Sequence, residues 1–296
     1  MPSIDTVSEP QILQTHGLAR HSQVAYNVKS IPLMYTGFLM LSEPIDLSLV
    51  LPAYNERASI LATIEEAFAY FGSRGILAEI IVAADGDDGT RELVGEAAAR
   101  RRNLRVIGHE ERCGKGRGVR EAMALARGSI LGYADADNKV PITEYDKIRP
   151  LLAQNYEVVT GSRALAASQI ERRQPWHRRV GSKGFYYALQ AVVPLPGISD
   201  SQCGFKFFQR AAGLRLFKLQ RIDGYMFDVE ILALAQRIGY RIVEVPIRWH
   251  DDSDSRLQLL AGNIRNMIDL FRIRAYSRKH VSVKAEAAAS AARSCD

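Results

Sequence analysis

The segment LGYADADNKVP, residues 131–141, ends an apolar run with two aspartates one residue apart. In an extended strand residues i and i+2 point to the same side, so Asp135 and Asp137 are expected to face one another. Like charges that close repel; either a positive partner holds them or one turns to water. A divalent cation is the partner with a chemical purpose. Paired carboxylates are hard oxygen ligands of the kind such a cation accepts.

Two more polar clusters close apolar runs in the same half: PAYNE (52–56), with Pro52, Tyr54 and Glu56, and ADGDDGT (84–90), with Asp85, Asp87 and Asp88. Asp87 and Asp88 are either ligands or caps of the helix that follows. Gly114, Lys115 and Gly116 precede another helical pattern, either as a phosphate-binding turn with one lysine or as a tight turn with an exposed lysine.

The elements that must position these groups alternate. Strands are expected at 47–54, 77–84, 104–108 and 129–134, and helices at 56–72, 90–102 and 115–128. The helix at 56–72 puts Ile60, Ile64, Phe68 and Phe71 on one face. Such alternation predicts an α/β fold with a mostly parallel sheet and helices on both faces, and ligands of such sheets bind beyond the carboxyl ends of the strands. All three clusters sit at that edge. The second half is less regular: strands at 157–163, 204–210 and 241–249, and helices from the basic stretch 171–183 through Gln190, at 227–239 and at 256–276. The last places Leu260, Ile264, Ile268 and Phe271 on one side among arginines, suited either to a membrane surface or to packing against the domain. The expected organisation is an irregular extension over 1–45, a domain over 46–250, an amphipathic helix over 251–279 and a flexible tail over 280–296.

With 296 residues, 47% apolar and 24% charged, the composition is that of a globular protein. No run reaches the roughly 18 apolar residues of a membrane span. Cys113, Cys203 and Cys295 show no metal-ligand spacing and no disulfide framework, which predicts a reducing, cytoplasmic setting, free or peripheral at the membrane face. A formal charge of +6 favours anionic partners. The basic residues are not interleaved with aromatics, which argues against nucleic acid.

In order, LVLPAYNE, ADGDDGT, RCGKGRGVREAM, ADADNK, TGSRA, DSQCGFKFF and YMFDVEILALAQRIGYRIVEVPIRW resemble the motifs of inverting family-two glycosyltransferases of the Rossmann-like GT-A fold. DSQCGFK followed by FDVE is most similar to the dolichyl-phosphate glucosyltransferase side of a branch that also holds dolichyl-phosphate mannose synthases. The resemblance covers residues 46–274. It implies a nucleotide-diphosphate sugar, UDP-glucose above all, bound by Pro52, Tyr54, Glu56, Asp85, Lys115, Asp135, Ala136, Asp137 and Arg256, with Mg²⁺ or Mn²⁺ on Asp135 and Asp137. It implies an acceptor phosphate, polyprenyl or dolichyl, near Arg163, Arg172, Arg173, Arg178 and Arg179, with Asp200, Gln202, Asp228 and Glu230 in acceptor-side motifs. Catalytic roles fall to Asp135, Asp137, Asp228 and Arg256, Asp228 being the first candidate base for a hydroxyl acceptor. The chain departs from the pattern at Lys139, where some relatives carry a glutamine, and at Ala84, where many carry a second acid. A small-molecule acceptor in solution is the alternative, and homo-oligomers occur among such relatives.

Overall fold

The computed structural model describes residues 44–170, 176–250 and 261–279, with the backbone alone for 176–183, 261–263 and 277–279. Strands β1 (Leu47–Tyr54), β2 (Ala78–Asp85), β3 (Leu104–Ile107) and β4 (Ile130–Ala134) pair in parallel in the order β3-β2-β1-β4. Their apolar runs are continuous because both faces are covered. Leu49, Leu51, Ile80 and Val82 enter one core, while Val50, Ile81, Leu131 and Tyr133 enter the other. Each such side chain contributes roughly 1.5–3 kcal/mol on burial, and β2 is buried along its whole length.

The helices follow the same division. Helix α1 (Ile60–Ser73) puts Ile60, Ile64 and Phe71 on the first core, and α3 (Lys115–Leu125) puts Val119 and Met123 on the second. Helix α2 (Thr90–Ala98) lies between β2 and β3 in the chain. A 3₁₀ turn (Ile142–Glu144) leads into α4 (Tyr145–Ala153), which was not anticipated and packs Ile148 and Leu152 on the first core. Its pattern is broken by Pro150, which cannot donate within the helix.

Beyond β4 the sheet continues through β7 (Phe205–Gln209), β5 (Val158–Ser162) and β8 (Ile242–Pro246), for seven strands in all. Strand β7 runs antiparallel to both neighbours, whereas β8 is parallel to β5. The strand expected over 241–249 is divided: Pro246 ends the ladder for want of an N–H, and β9 (Arg248–Trp249) pairs instead with β6 (Gln169–Ile170). Helices α5 (Trp176–Val192), α6 (Arg210–Leu219), α7 (Phe227–Ile238) and α8 (Ala261–Lys279) complete the second layer. Of the apolar row foreseen on α8, Leu260 lies outside the described residues and Ile264, Ile268 and Phe271 are exposed, while Leu270 and Ile273 are buried in the core.

Candidate active site

Strand β4 stops at Ala134, and the next four residues turn instead of extending. The Asn138 N–H donates to the Asp135 carbonyl at 3.3 Å, and Asn138 adopts the left-handed conformation (φ 54°) that asparagine tolerates. Asp135 and Asp137 therefore do not stand side by side on a strand face; each has its own lysine. Lys115 Nζ lies 2.5 Å from Asp135 Oδ1, and Lys139 Nζ lies 2.8 Å from Asp137 Oδ2. Burial alone would lower the Lys115 pKa, but Asp135, and Asp228 behind it, outweigh that and raise it. Both aspartate side chains keep an open face, 41% and 34% exposed. Two carboxylates turned to an open cleft offer the hard oxygen ligands of a divalent ion, which would take the place of the lysines now paired to them; Lys139, as an ammonium, adds no ligand.

The cleft measures about 730 Å³ with its mouth and is lined by Pro52, Tyr54 and Glu56 from the end of β1, Asp85 from the end of β2, Lys115 from the start of α3, and Asp135, Ala136 and Asp137 from the end of β4. Eight residues expected to hold a sugar nucleotide thus meet at one place. Two further polar side chains, Arg112 and Tyr225, join the wall. Arg112 sits 4.4 Å above the Tyr54 ring and donates from Nη2 to the Tyr225 hydroxyl at 2.9 Å. Both stand at the edges of the motifs quoted above, RCGKG and YMFDVE. Asp85 accepts the backbone N–H groups of His109, Cys113 and Gly114 at 3.2, 2.8 and 3.3 Å. Asp88 takes the capping alternative, accepting the N–H of Thr90, first residue of α2, at 3.0 Å.

Behind the aspartate turn lies a buried ionic group. Asp228, only 3% exposed, accepts from the Tyr133 hydroxyl and from Lys206 Nζ at 2.6 Å, and Lys206 also donates to the Cys203 carbonyl at 2.6 Å. Burial first, then the neighbouring Asp228 charge, pushes the Tyr133 phenol well above its ordinary value. Both bonds fall on Oδ1 of the carboxylate. The segment leading into β7 reaches the same place: a Cβ on Gly204 would stand 2.1 Å from Asp135 Oδ2, so only glycine fits there.

On the far side Arg163, which follows β5, spends its fork on Asp200. Nε and Nη2 donate to the two oxygens at 2.7 and 2.8 Å, and its backbone N–H adds a third bond at 2.9 Å. Burial opposes both charges, but their mutual attraction lowers the Asp200 carboxyl and raises the guanidinium. The Gln202 N–H also donates to Asp200, at 3.3 Å. Arg163, Asp200 and Gln202 are thus brought together as a self-paired cluster. Arg172, Arg173 and Arg256 lie outside the described residues, and Arg178 and Arg179 fall on the part of α5 described by backbone alone.

Glu230, grouped by sequence with the acceptor motifs, holds a loop that reaches the donor cleft. Buried in the first turn of α7, it accepts the N–H of Arg221 at 3.0 Å and of Ile222 at 2.9 Å. Those bonds hold the 220–225 loop, whose Asp223 carbonyl accepts the Arg117 N–H at 3.2 Å and which delivers Tyr225 to the cleft. Burial pushes the Glu230 carboxyl up from 4.5 to about 7, against the lowering effect of the two N–H bonds and of Arg120 and Arg221. A carboxyl raised on folding adds stability that is full below about 4.5 and lost as pH rises through about 7. Glu230→Gln removes the titration. The stability margin of the wild type over this variant is therefore expected to shrink by roughly 2 kcal/mol between pH 5 and pH 8. Denaturant midpoints of both proteins at the two pH values check this, and a constant margin would refute the raised carboxyl.

A mostly parallel sheet covered by helices on both faces, with an Asp-X-Asp turn in a cleft beyond the strand ends, defines a GT-A glycosyltransferase. The fold is that of glucosyl-3-phosphoglycerate synthase from Mycobacterium tuberculosis, solved with Mn²⁺, UDP-glucose and phosphoglyceric acid (TM-score 0.56, 21% identity, 77% of this chain and 79% of that one). It is equally that of mannosyl-3-phosphoglycerate synthase from Rubrobacter xylanophilus (TM-score 0.56, 19% identity, 80% and 74%). The model of glycosyl transferase family 2 matches residues 48–216, and the chain belongs to that family. It is 35% identical over 241 residues to a dolichyl-phosphate beta-glucosyltransferase of Trichomonas vaginalis, covering 77% of this chain and 71% of that protein. To the dolichyl-phosphate beta-glucosyltransferase of Saccharomyces cerevisiae it is 32% identical over 254 residues, covering 78% and 75%. The protein is an enzyme that draws its sugar from a nucleotide-diphosphate donor.

Proposed function

We propose that this enzyme transfers glucose, with inversion, from UDP-glucose to the phosphate of a polyprenyl or dolichyl phosphate. The observation that carries the donor half is the meeting of Pro52, Tyr54, Glu56, Asp85, Lys115, Asp135, Ala136 and Asp137 around one cleft. Pro52, Tyr54, Glu56 and Asp85 hold the base and ribose, and Lys115 faces the diphosphate. Asp135 and Asp137 hold Mg²⁺ or Mn²⁺, which when bound supplies Lewis-acid stabilisation of the departing diphosphate. Names of the relatives at 30–35% identity support the acceptor half.

A phosphate acceptor arrives as an anion and needs no general base. That agrees with an Asp228 committed to Tyr133 and Lys206, which makes it a positioning group behind Asp135 and Lys115. Among the described residues no helix is long and apolar enough to cross a membrane. Helix α8 supports a peripheral contact: Ile264, Ile268 and Phe271 are exposed beside Arg265 and Arg272, a pairing suited to an anionic bilayer surface. The deciding experiment offers UDP-glucose, Mg²⁺ or Mn²⁺ and a short-chain polyprenyl phosphate, with products read by mass spectrometry. A glucosylated lipid phosphate is the expected product. Free UDP without glycolipid would move the acceptor to a small metabolite, and no release of UDP would overturn the donor.

A further inference from the structure

Asp85, His109 and Cys113 come from the end of β2 and the loop between β3 and α3, yet their ligand atoms all lie within 4.8 Å of one another. A carboxylate oxygen, an imidazole nitrogen and a thiol sulfur form the mixed donor set that Zn²⁺ takes, with a fourth position for water. It differs in kind from the all-oxygen pair Asp135 and Asp137, which selects hard ions. The Asp85 carboxylate is fixed by its three backbone donors. Oδ1 receives only one of them, so one of its two lone-pair positions stays available. The imidazole is oriented as well: His109 Nε2 lies 3.1 Å from Glu121 Oε2, and Glu121 in turn accepts from Arg117 Nε at 2.7 Å. A carboxylate on one ring nitrogen is the usual support of a histidine whose other nitrogen binds metal. Cys113 is a free, half-buried thiol.

We infer that Asp85, His109 and Cys113 form a second metal site, for a borderline-soft divalent cation with Zn²⁺ foremost, at the nucleobase end of the donor cleft. On binding, the sulfur–metal bond replaces the S–H bond and the proton leaves to solvent. The consequence for catalysis rests on the donor reading above: Asp85 cannot serve both this cation and a nucleobase. Zinc is then a competitive inhibitor with respect to UDP-glucose, while Mg²⁺, which prefers the oxygen pair, is not.

The test uses the full chain and Co²⁺ as the visible stand-in for Zn²⁺. With the Asp135–Asp137 oxygen pair kept filled by excess Mg²⁺, one cobalt per chain is expected, with tetrahedral visible bands and a thiolate-to-metal charge-transfer band, both erased by added Zn²⁺. The charge-transfer band should vanish in Cys113→Ser, and affinity should fall roughly 10–100-fold in Glu121→Gln, where the supporting carboxylate is lost. A charge-transfer band that survives in Cys113→Ser, or an octahedral spectrum, overturns the site; Cys203 is buried and offers no alternative at the cleft. Calorimetric UDP titrations in Mg²⁺ separate the two readings. Zinc should raise the apparent Kd of the wild type and leave that of Cys113→Ser unchanged. UDP binding insensitive to zinc, with no cobalt spectrum, overturns the second metal site and leaves the donor reading standing. No UDP binding without zinc, with the cobalt spectrum intact, overturns the donor reading and the competition built on it.

Discussion

Asp137→Ala should lower sugar transfer by roughly 10³-fold or more while the protein stays folded. Stabilising a departing diphosphate is worth several kcal/mol to the reaction, and each 1.36 kcal/mol or so is a factor of ten in rate. The folded state loses far less. The Asp137 side chain is 34% exposed and its one ionic partner, Lys139, sits beside it; such exposed pairs contribute about 0–1 kcal/mol. Turnover and a melting curve on the same preparation separate the two effects. Activity within tenfold of the wild type would remove Asp137 from the metal site, and a collapsed melting transition would make it structural.

Asp228→Ala should do the reverse and strike stability first. The Lys206 ammonium is wholly enclosed, and its charge is balanced at 2.6 Å by Asp228. Removing one member of a buried pair leaves an uncompensated charge, at about 3–5 kcal/mol, and the Tyr133 hydroxyl loses its acceptor as well. Replacing both charges is a different matter, because a well-packed apolar pair often matches the ionic one. The double variant Asp228→Leu with Lys206→Met should therefore recover much of the loss seen in Asp228→Ala. Denaturant midpoints of wild type, single and double variants decide it. If the double variant is as unstable as the single, the cost lies in packing and not in the stranded charge. Transfer activity should remain low in both, since Asp228 also faces the Lys115–Asp135 pair in front of it.

Much of the donor side was legible because it depends on strand ends. Apolar runs identify β1, β2 and β4, and whatever polar residues close them must lie at one edge of a parallel sheet; Pro52, Tyr54, Glu56, Asp85 and the aspartate pair follow from that alone. What a side chain meets after folding was not legible. Asp228 reads in sequence as a candidate base for a hydroxyl acceptor, and its bonds to Tyr133 and Lys206 appear only on folding. Arg163 and Asp200 look like two contacts for a ligand and bind each other. On α8 the 3.6-residue period produces two apolar rows, and nothing in the period says that Leu270 and Ile273 are covered while Ile264 and Ile268 are not. Cys113 shows no spacing to another cysteine, and Asp85 lies 28 positions away on another segment, so the cluster with His109, four positions away in the same loop, is visible only after folding. The antiparallel course of β7 was equally hidden, since an apolar run carries no direction.

That course of β7 ties the two halves of the sheet together through a single strand. Among the described residues only β7 hydrogen-bonds to both β4 and β5, and β8 pairs with β5. The β1–β2 and β2–β3 ladders join segments near in sequence, β1–β4 already closes a loop of some eighty residues, and β7 must close another of some seventy back to β4 before β5 and β8 gain a place in the sheet. The same strand begins at Phe205, directly after the Gly204 that presses against Asp135. Insertion of β7 thus completes the sheet and the reaction centre in one event. A chain that has folded its nucleotide half alone would have walls to hold a donor but no floor behind Asp135, and so no competence to spend that donor before the second half is in place.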